Sequence, residues 1–185
     1  VRCKGEDSQG VIGGIDFLRK VVRNEEIDLG ENVAIVGGGN TAMDACRTAI
    51  RLGAKKVYNI YRRTKNEMPA DMVEITEAEE EGVIFKNLTN PIEVVADENG
   101  RVKEVVLQVM ELGEADASGR RRPVPVEGKT ETIKVDTMIL AIGQAVDASK
   151  FDDLDKTKKG AIAYDKDTFM TSMEGVFAGG DCGND

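Results

Sequence analysis

Hydrophobic positions in the first half of the chain switch between strand-like and helix-like spacing. Residues 33–36 form a continuous apolar run, as expected of a strand that is covered on both faces. Over residues 40–52 the apolar positions recur at the spacing of an amphipathic helix. The elements that we predict here are a helix at 11–22, a strand at 33–36, a helix at 40–52, a strand at 56–61, a helix at 69–81 and a strand at 83–87.

The second half of the chain has the alternating pattern of antiparallel strands. The elements that we predict here are strands at 92–96, 102–110 and 130–135, a hairpin turn at 97–100, a polar loop at 116–125, and short strands at 138–142, 161–164 and 176–178. The fold class is therefore α/β: a Rossmann-like parallel sheet with helices on both faces, plus an antiparallel β-meander.

Composition removes several classes of function from consideration. The 185 residues include 25 Lys and Arg against 34 Asp and Glu, which gives a net charge of −9, and the chain has no His and no Trp. A net negative charge argues against non-specific nucleic-acid binding. The absence of His excludes His general bases, Ser-His-Asp triads and His-ligated metals. The apolar runs are far shorter than the roughly 20 residues that a membrane-spanning helix needs.

The cysteines are Cys3, Cys46 and Cys182, too far apart in sequence for a C-x-x-C pair or a zinc or cluster motif. We therefore predict no metal site. A sparse, odd number of cysteines is typical of the reducing cytoplasm, where we expect the protein to reside. Cys46 falls in a helical pattern, and we expect it to be a small buried apolar residue.

A glycine-rich turn is the strongest functional signal in the chain. The pattern Gly37-x-Gly39-x-x-Ala42 follows a predicted strand and opens a predicted helix, as in dinucleotide-binding folds. Gly37 permits the tight turn, Gly39 lets a pyrophosphate approach the backbone, and Ala42 lets helix and strand pack closely. Asn40 and Thr41 would supply further donors at the helix N-terminus. An ordinary strand-to-helix turn remains the alternative.

Two arginines indicate which dinucleotide would bind. NAD sites usually place an acidic residue at the end of the second strand, but here that strand is followed by Arg62 and Arg63. Guanidinium groups suit a 2′-phosphate, so the sequence favours NADP over NAD. Lys65 is a further candidate near this phosphate. The alternative is that these arginines are solvated surface charges.

Two other polar segments, at 120–122 and at Asp181, are also candidates for a functional site. The arginine run at 120–122 lies in a predicted loop of an acidic chain, and we interpret it as a solvated loop rather than a nucleic-acid site. Asp181 follows an apolar strand and two glycines, so its carboxylate is placed to meet a ligand hydroxyl. A plain Asp-containing turn is equally compatible with that pattern.

The chain resembles the NADPH-binding domain of the glutamate synthase small (beta) subunit and related two-dinucleotide flavoproteins, whose fold is like that of thioredoxin reductase. The stretches that carry the resemblance are VAIVGGGNTAMDACRTAIRLGAKKV, YRRTKNEMPA, LTNPIEV, VMELGEADASGRRRPVPV, ILAIGQ and TSMEGVFAGGDC. The resemblance implies an NADPH-dependent FAD oxidoreductase. Such a protein passes hydride from NADPH to FAD and then electrons through iron–sulfur clusters to a partner.

The resemblance also implies residue roles. These are the phosphate-binding turn at Gly37, Gly38, Gly39, Asn40, Thr41 and Ala42, the 2′-phosphate site at Arg62 and Arg63, a nicotinamide-side stretch at Ala141, Ile142 and Gly143, and an FAD ribityl contact at Gly180 and Asp181. Because the cofactors carry the chemistry, no catalytic side chain is predicted. Two other functions stay open: a ferredoxin- or sulfide-linked reductase subunit, and a non-catalytic nucleotide-sensing module.

Domain limits and partners follow from the same resemblance. Residues 1–29 would be a linker or remnant of the FAD domain, 30–144 the NADPH-binding domain, and 145–185 a further FAD-domain remnant. The chain starts with Val1 and lacks the first glycine fingerprint and the cysteine-rich region of the family, so we expect a central piece of a longer protein. The expected partner is the large glutamate synthase subunit or another electron acceptor, with FAD in the intact protein and iron–sulfur clusters outside this chain.

Overall fold

The computed structural model describes residues 3–115, 119–143 and 146–183. The chain divides into two compact units, Val1–Ile142 and Gly143–Asp185. Within the described residues, no helix is both long enough and apolar enough to span a bilayer. In chain order the elements are β1 (Val11–Gly13), α1 (Gly14–Val22), β2 (Asn32–Val36), α2 (Asn40–Arg51), β3 (Lys56–Tyr61), α3 (Met72–Glu80), β4 (Ile84–Asn87), β5 (Thr89–Ala96), β6 (Val102–Ala115), β7 (Arg121–Lys134) and β8 (Thr137–Leu140).

A parallel sheet forms the centre of the first unit. Its described strands lie in the order β1-β8-β2-β3-β4, and every neighbouring pair is parallel. The chain runs from β2 outward through β3 and β4, then returns to place β8 on the other side of β2. The strand order therefore reverses between β2 and β8, and in open α/β sheets ligands bind at the carboxyl ends of strands at such a point.

One face of this sheet is covered by the helices. Phe17 of α1, Met43 of α2 and Ile75 of α3 are fully buried in one cluster with Val33 and Ile35 of β2. A strand that packs on both faces must be apolar at successive positions, which explains the unbroken apolar run in β2.

The other face of the parallel sheet is covered by the antiparallel sheet β5-β6-β7. Ala34 and Val36 of β2 pack there in one cluster with Val105, Leu107 and Ile133. The α/β fold class with a β-meander is thus confirmed, but it differs from the prediction in one respect. Helices were expected on both faces, whereas the described helices share one face, because the apolar side of the meander covers the second.

The N-terminal segment also differs from the expectation. A helix was predicted to begin at residue 11, but Val11–Gly13 forms the edge strand β1, which pairs with β8, and α1 begins only at Gly14. Cys3 is buried in the same cluster as Ala34 and Val105. Whether residues 1–29 belong with a flavin domain in a longer protein stays a prediction.

The second unit has little regular structure in its described residues. The strands predicted at 161–164 and 176–178 reduce to single bridges, Lys156–Ile162 and Met170–Phe177. A 3₁₀ turn spans Gly180–Cys182. Short segments rich in Gly, Asp and Lys have too few apolar positions to support longer ladders, which accounts for the difference.

Candidate nucleotide-binding site

The turn between β2 and α2 lies directly against the end of β8. Gly37 has φ +147°, and a Cβ on this residue would stand 2.2 Å from the carbonyl oxygen of Ala141. The Gly37 N–H donates to Ile60 O at 3.0 Å, and the Ala141 N–H donates to Val36 O at 2.8 Å. A side chain at Gly37 would therefore force the ends of β2 and β8 apart.

The next two glycines have different surroundings. A Cβ on Gly38 would lie 2.5 Å from the Tyr61 ring, so Gly38 is required by packing inside the protein. A Cβ on Gly39 would meet only Pro69 Cγ, at 4.0 Å. Gly39 has φ −94°, which any residue adopts, so neither its backbone nor its protein neighbours require glycine. The space beside Gly39 instead fits the approach of a pyrophosphate.

The first turn of α2 presents unpaired donors to this space. Ala42 and Met43 donate their N–H groups to Gly39 O. Within the described ranges, the N–H groups of Asn40 and Thr41 have no acceptor. Unpaired N–H groups and the positive end of the helix dipole together favour an anion at this position.

The side chain of Asn40 has a partner that the sequence did not predict. Asn40 Nδ2 donates to Asp71 Oδ2 at 3.0 Å, and the Asp71 N–H donates to Asn40 Oδ1 at 2.9 Å. Asp71 is the N-cap residue of α3. This reciprocal pair ties the start of α2 to the start of α3, and it orients the Asn40 amide at the edge of the site.

The two arginines after β3 differ in environment. Arg62 is exposed, and its guanidinium has no hydrogen-bond or ion-pair partner among the described residues. Arg63 is 8% exposed, and its Nε donates to Arg121 O at 2.7 Å. In the part of the chain that the structure describes, the two Nη groups of Arg63 have no partner. Arg63 is therefore anchored through Nε with its remaining donors unused, as suits a phosphate.

The second arginine run is exposed, as a solvated loop would be, but only Arg120 lies outside a strand. Arg121 begins β7, and it donates to Gly113 O at 3.0 Å and to Leu112 O at 2.8 Å. Arg120 Nη2 donates to Tyr61 Oη at 3.2 Å. The antiparallel strands β6 and β7 are longer than predicted, and this extra length brings Arg121, the first residue of β7, and the preceding Arg120 to the end of β3.

Asn59 is a site residue that the sequence analysis missed. It is fully buried in β3, and its Nδ2 donates to Gly37 O at 2.9 Å. Its Oδ1 has no hydrogen-bond partner among the described residues. The sequence offered a signal for this residue, because Asn59 carries the one amide side chain in the strand KVYNIY.

The Cys46 thiol lies next to Asn59. Burial raises the pKa of this thiol, and a hydrogen bond with Asn59 partly opposes that shift.

Lys65, a candidate near the 2′-phosphate, has two partners that the sequence did not predict. Its Nζ lies 2.5 Å from Glu79 Oε2 and 4.9 Å from the centre of the Phe85 ring.

Glu67 lies in the segment that follows β3. Hydrogen bonds from Thr64 hold the pKa of Glu67 below its ordinary value, so the Glu67 carboxylate stays ionised at neutral pH. Among the described residues, the charged groups near the glycine turn thus include Glu67 and Asp71 as well as the arginines.

The remaining predicted residues divide between the two units. Ala141 contacts the glycine turn, and Ile142 is 54% exposed at the end of the first unit. Gly143 begins the second unit with φ +101°. Gly180 and Asp181 lie in the 3₁₀ turn of the second unit, where Asp181 is exposed. Their predicted roles in binding nicotinamide or FAD stay predictions.

Comparisons with known proteins agree on a family. The pyridine nucleotide-disulphide oxidoreductase model matches residues 1–184. The chain is 49% identical over 181 residues to the NADP(+)-dependent formate dehydrogenase subunit beta of Moorella thermoacetica, covering 96% of this chain and 26% of that protein. It is 36% identical over 201 residues to the glutamate synthase (NADPH) small chain of Azospirillum brasilense, covering 98% and 40%.

A solved structure supports the fold. Thioredoxin reductase of Lactococcus lactis, in its FR conformation, matches with a TM-score of 0.76 at 18% identity, covering 100% of this chain and 54% of that one. An identity this low bears on the fold alone. The chain spans about a quarter of the length of the Moorella relative and two fifths of the Azospirillum relative.

Proposed function

We infer the function from one premise, that this chain belongs to the pyridine nucleotide-disulphide oxidoreductase family. We propose that it is the NADPH-binding module of a flavoprotein oxidoreductase that passes hydride from NADPH to FAD. The observation that carries this proposal is the set of unpaired N–H groups of Asn40 and Thr41, which faces the open space beside Gly39.

The residues present fit the two phosphate positions of NADPH. The pyrophosphate would accept hydrogen bonds from the Asn40 and Thr41 N–H groups and approach the backbone at Gly39. The 2′-phosphate would lie at the end of β3, where Arg62 has no described partner and Arg63 has two unused Nη groups. These charge-assisted bonds favour NADPH over NADH.

NADPH, when bound here, would supply a hydride for an FAD held by other parts of a longer protein. The chain itself contributes binding and orientation rather than proton transfer. Ala141 fixes the strand end beside the glycine turn, and the following Ile142 and Gly143 lead toward the nicotinamide half. Gly180 and Asp181 would contact FAD.

A longer protein that contained this chain would exchange electrons with a partner subunit, and the identities to known relatives bear on its class. Identity to the formate dehydrogenase subunit beta is 49%, against 36% to the glutamate synthase small chain. Both names describe one subunit of a larger enzyme. The higher identity favours a partner subunit of the formate dehydrogenase kind, with which the module would exchange electrons, over the large glutamate synthase subunit. Under this proposal, glutamate biosynthesis is the less favoured assignment.

An equilibrium titration tests the nucleotide proposal. The chain is titrated with NADPH and, separately, with NADH, and the same pair of titrations is run on Arg62→Ala and on the distant control Arg19→Ala. We expect tighter binding of NADPH, a smaller preference for NADPH in Arg62→Ala, and an unchanged preference in Arg19→Ala. Equal affinity for both nucleotides in the unaltered chain would contradict the proposal.

A further inference from the structure

The hairpin between β6 and β7 brings a cation to the end of β3. Arg63 Nε donates to the carbonyl oxygen of Arg121 at 2.7 Å. The preceding residue, Arg120, donates from Nη2 to Tyr61 Oη at 3.2 Å and to Glu67 O at 3.1 Å. Two successive residues of the hairpin are thus held at two positions at the end of β3, on either side of Arg62.

A surface groove lies between the two residues that precede β7, Gly119 and Arg120, and the segment that follows β3. Its volume is about 460 Å³, and it is lined by Asn66, Glu67, Met68, Pro69, Gly119 and Arg120. Pro69 Cγ is 4.0 Å from the Cβ position of Gly39, so the groove opens beside the space assigned to the pyrophosphate. Its size falls within the range of small-molecule sites.

The charge of the groove depends on Arg120. Glu67 also lines the groove, and hydrogen bonds from Thr64 hold the pKa of its carboxyl below the ordinary value. An ionised carboxylate repels a phosphate, so the groove attracts an anion only if a cation offsets that charge. The guanidinium of Arg120 supplies this charge at the strand end where a 2′-phosphate is expected.

Tyr61 connects this groove to the glycine turn. Its hydroxyl donates to Glu67 O at 2.8 Å and accepts from Arg120, while its ring lies 2.5 Å from the Cβ position of Gly38. The ring holds the phosphate-binding turn and the hydroxyl holds Arg120. One side chain thereby fixes the spacing between the two expected phosphate positions.

We propose that Arg120, supplied by the β6–β7 hairpin, is a third cationic residue of the site that binds the adenosine 2′-phosphate of NADPH. This inference rests on the proposed function and adds to it a specificity residue remote in sequence from the strand end. Arg62 and Arg63 approach the phosphate from β3, and Arg120 approaches it from the antiparallel sheet.

The test compares two probes that differ only in the 2′-phosphate, namely 2′,5′-ADP and 5′-AMP, by calorimetry. The variants are Arg120→Gln, which removes the charge, and Arg120→Lys, which keeps it. The matched control is Arg122→Gln, because Arg122 is exposed on the same hairpin and has no partner among the described residues. The ratio of the two affinities in one sample is insensitive to any fraction of unfolded protein.

We expect Arg120→Gln to weaken 2′,5′-ADP binding about tenfold or more and to leave 5′-AMP binding unchanged, because a charge-assisted hydrogen bond is lost. Arg120→Lys should retain part of the preference, and Arg122→Gln should retain all of it. An unchanged ratio in Arg120→Gln, or an equal loss for both probes, would overturn the inference. If the unaltered chain showed no preference for 2′,5′-ADP, the proposed function itself would fail.

A double-mutant cycle tests whether Tyr61 affects nucleotide binding through Arg120 or through the stability of the fold. Tyr61→Phe keeps the ring under Gly38 and removes only the hydroxyl that bonds Arg120. We expect Tyr61→Phe to lower the preference for 2′,5′-ADP over 5′-AMP. We also expect the double variant to lose no more of this preference than Arg120→Gln loses alone. Independent, additive losses would show that Tyr61 does not act through Arg120.

Discussion

The same substitution at two glycines of one turn should have opposite consequences. Gly37→Ala places a Cβ 2.2 Å from the carbonyl oxygen of Ala141, at a residue with φ +147°. Gly39→Ala places a Cβ 4.0 Å from its nearest protein atom, Pro69 Cγ, at a residue with φ −94°. The first change should therefore damage the fold, and the second should damage only ligand binding.

The magnitude for Gly37→Ala follows from three contributions. Backbone strain at positive φ costs about 1–3 kcal/mol, and overpacking costs about 1–3 kcal/mol. A gain of about 0.4–1 kcal/mol from the stiffer unfolded chain opposes them. The free energy of unfolding should fall by about 1–6 kcal/mol, which lowers the melting temperature of a chain of this size by about 2–24 °C.

Thermal unfolding followed by circular dichroism, with a nucleotide titration of each variant, makes the comparison. Gly39→Ala should melt at or slightly above the temperature of the unaltered chain, because its backbone is compatible with alanine. It should also bind NADPH and NADH about tenfold or more weakly, since the Cβ fills the approach of the pyrophosphate. If Gly39→Ala bound both nucleotides normally, or if Gly37→Ala melted unchanged, the reasoning would be refuted.

Three further outcomes are expected. In a titration, Arg62→Ala should weaken NADPH binding about tenfold or more and leave NADH binding unchanged, because it removes a charge-assisted bond to the 2′-phosphate. An equal loss of affinity for both nucleotides would count against that role of Arg62. Asn59→Leu should cost about 1–3 kcal/mol in a denaturant melt, because it leaves the buried Gly37 carbonyl unpaired, and an unchanged midpoint would show that the bond is dispensable. Burial raises the pKa of Cys46 above 9.0, so stability should decline as pH rises beyond 9.0, and less steeply in Cys46→Ala; equal slopes would exclude Cys46 as the cause.

Local sequence patterns were sufficient to predict the elements that form the proposed pyrophosphate site. The apolar run of β2, the glycines and the helical spacing of α2 are contiguous, so their arrangement follows from chain geometry. The parallel sheet and the meander could be predicted for the same reason. The partner of each sheet face could not, because a strand buried on both faces looks alike whether helices or another sheet cover it.

Contacts between segments that are remote in sequence could not be predicted from local sequence patterns. The arginine run at 120–122 looked like a solvated loop because its local surroundings are polar and acidic. Its position at the end of β3 depends on the register and length of β6 and β7. Asn59 was missed because one polar residue in a short strand does not reveal which carbonyl it will bond. Likewise, only the fold shows that Lys65 pairs with Glu79.

The central claim is that NADPH binds with its pyrophosphate at the start of α2. Amide chemical shifts of the ¹⁵N-labelled chain, followed through an NADPH titration, test that position directly. We expect the largest shifts at Gly39, Asn40 and Thr41, with a second group at Arg62 and Arg63. Saturable binding that left the amides of Gly39, Asn40 and Thr41 unshifted would contradict the claim.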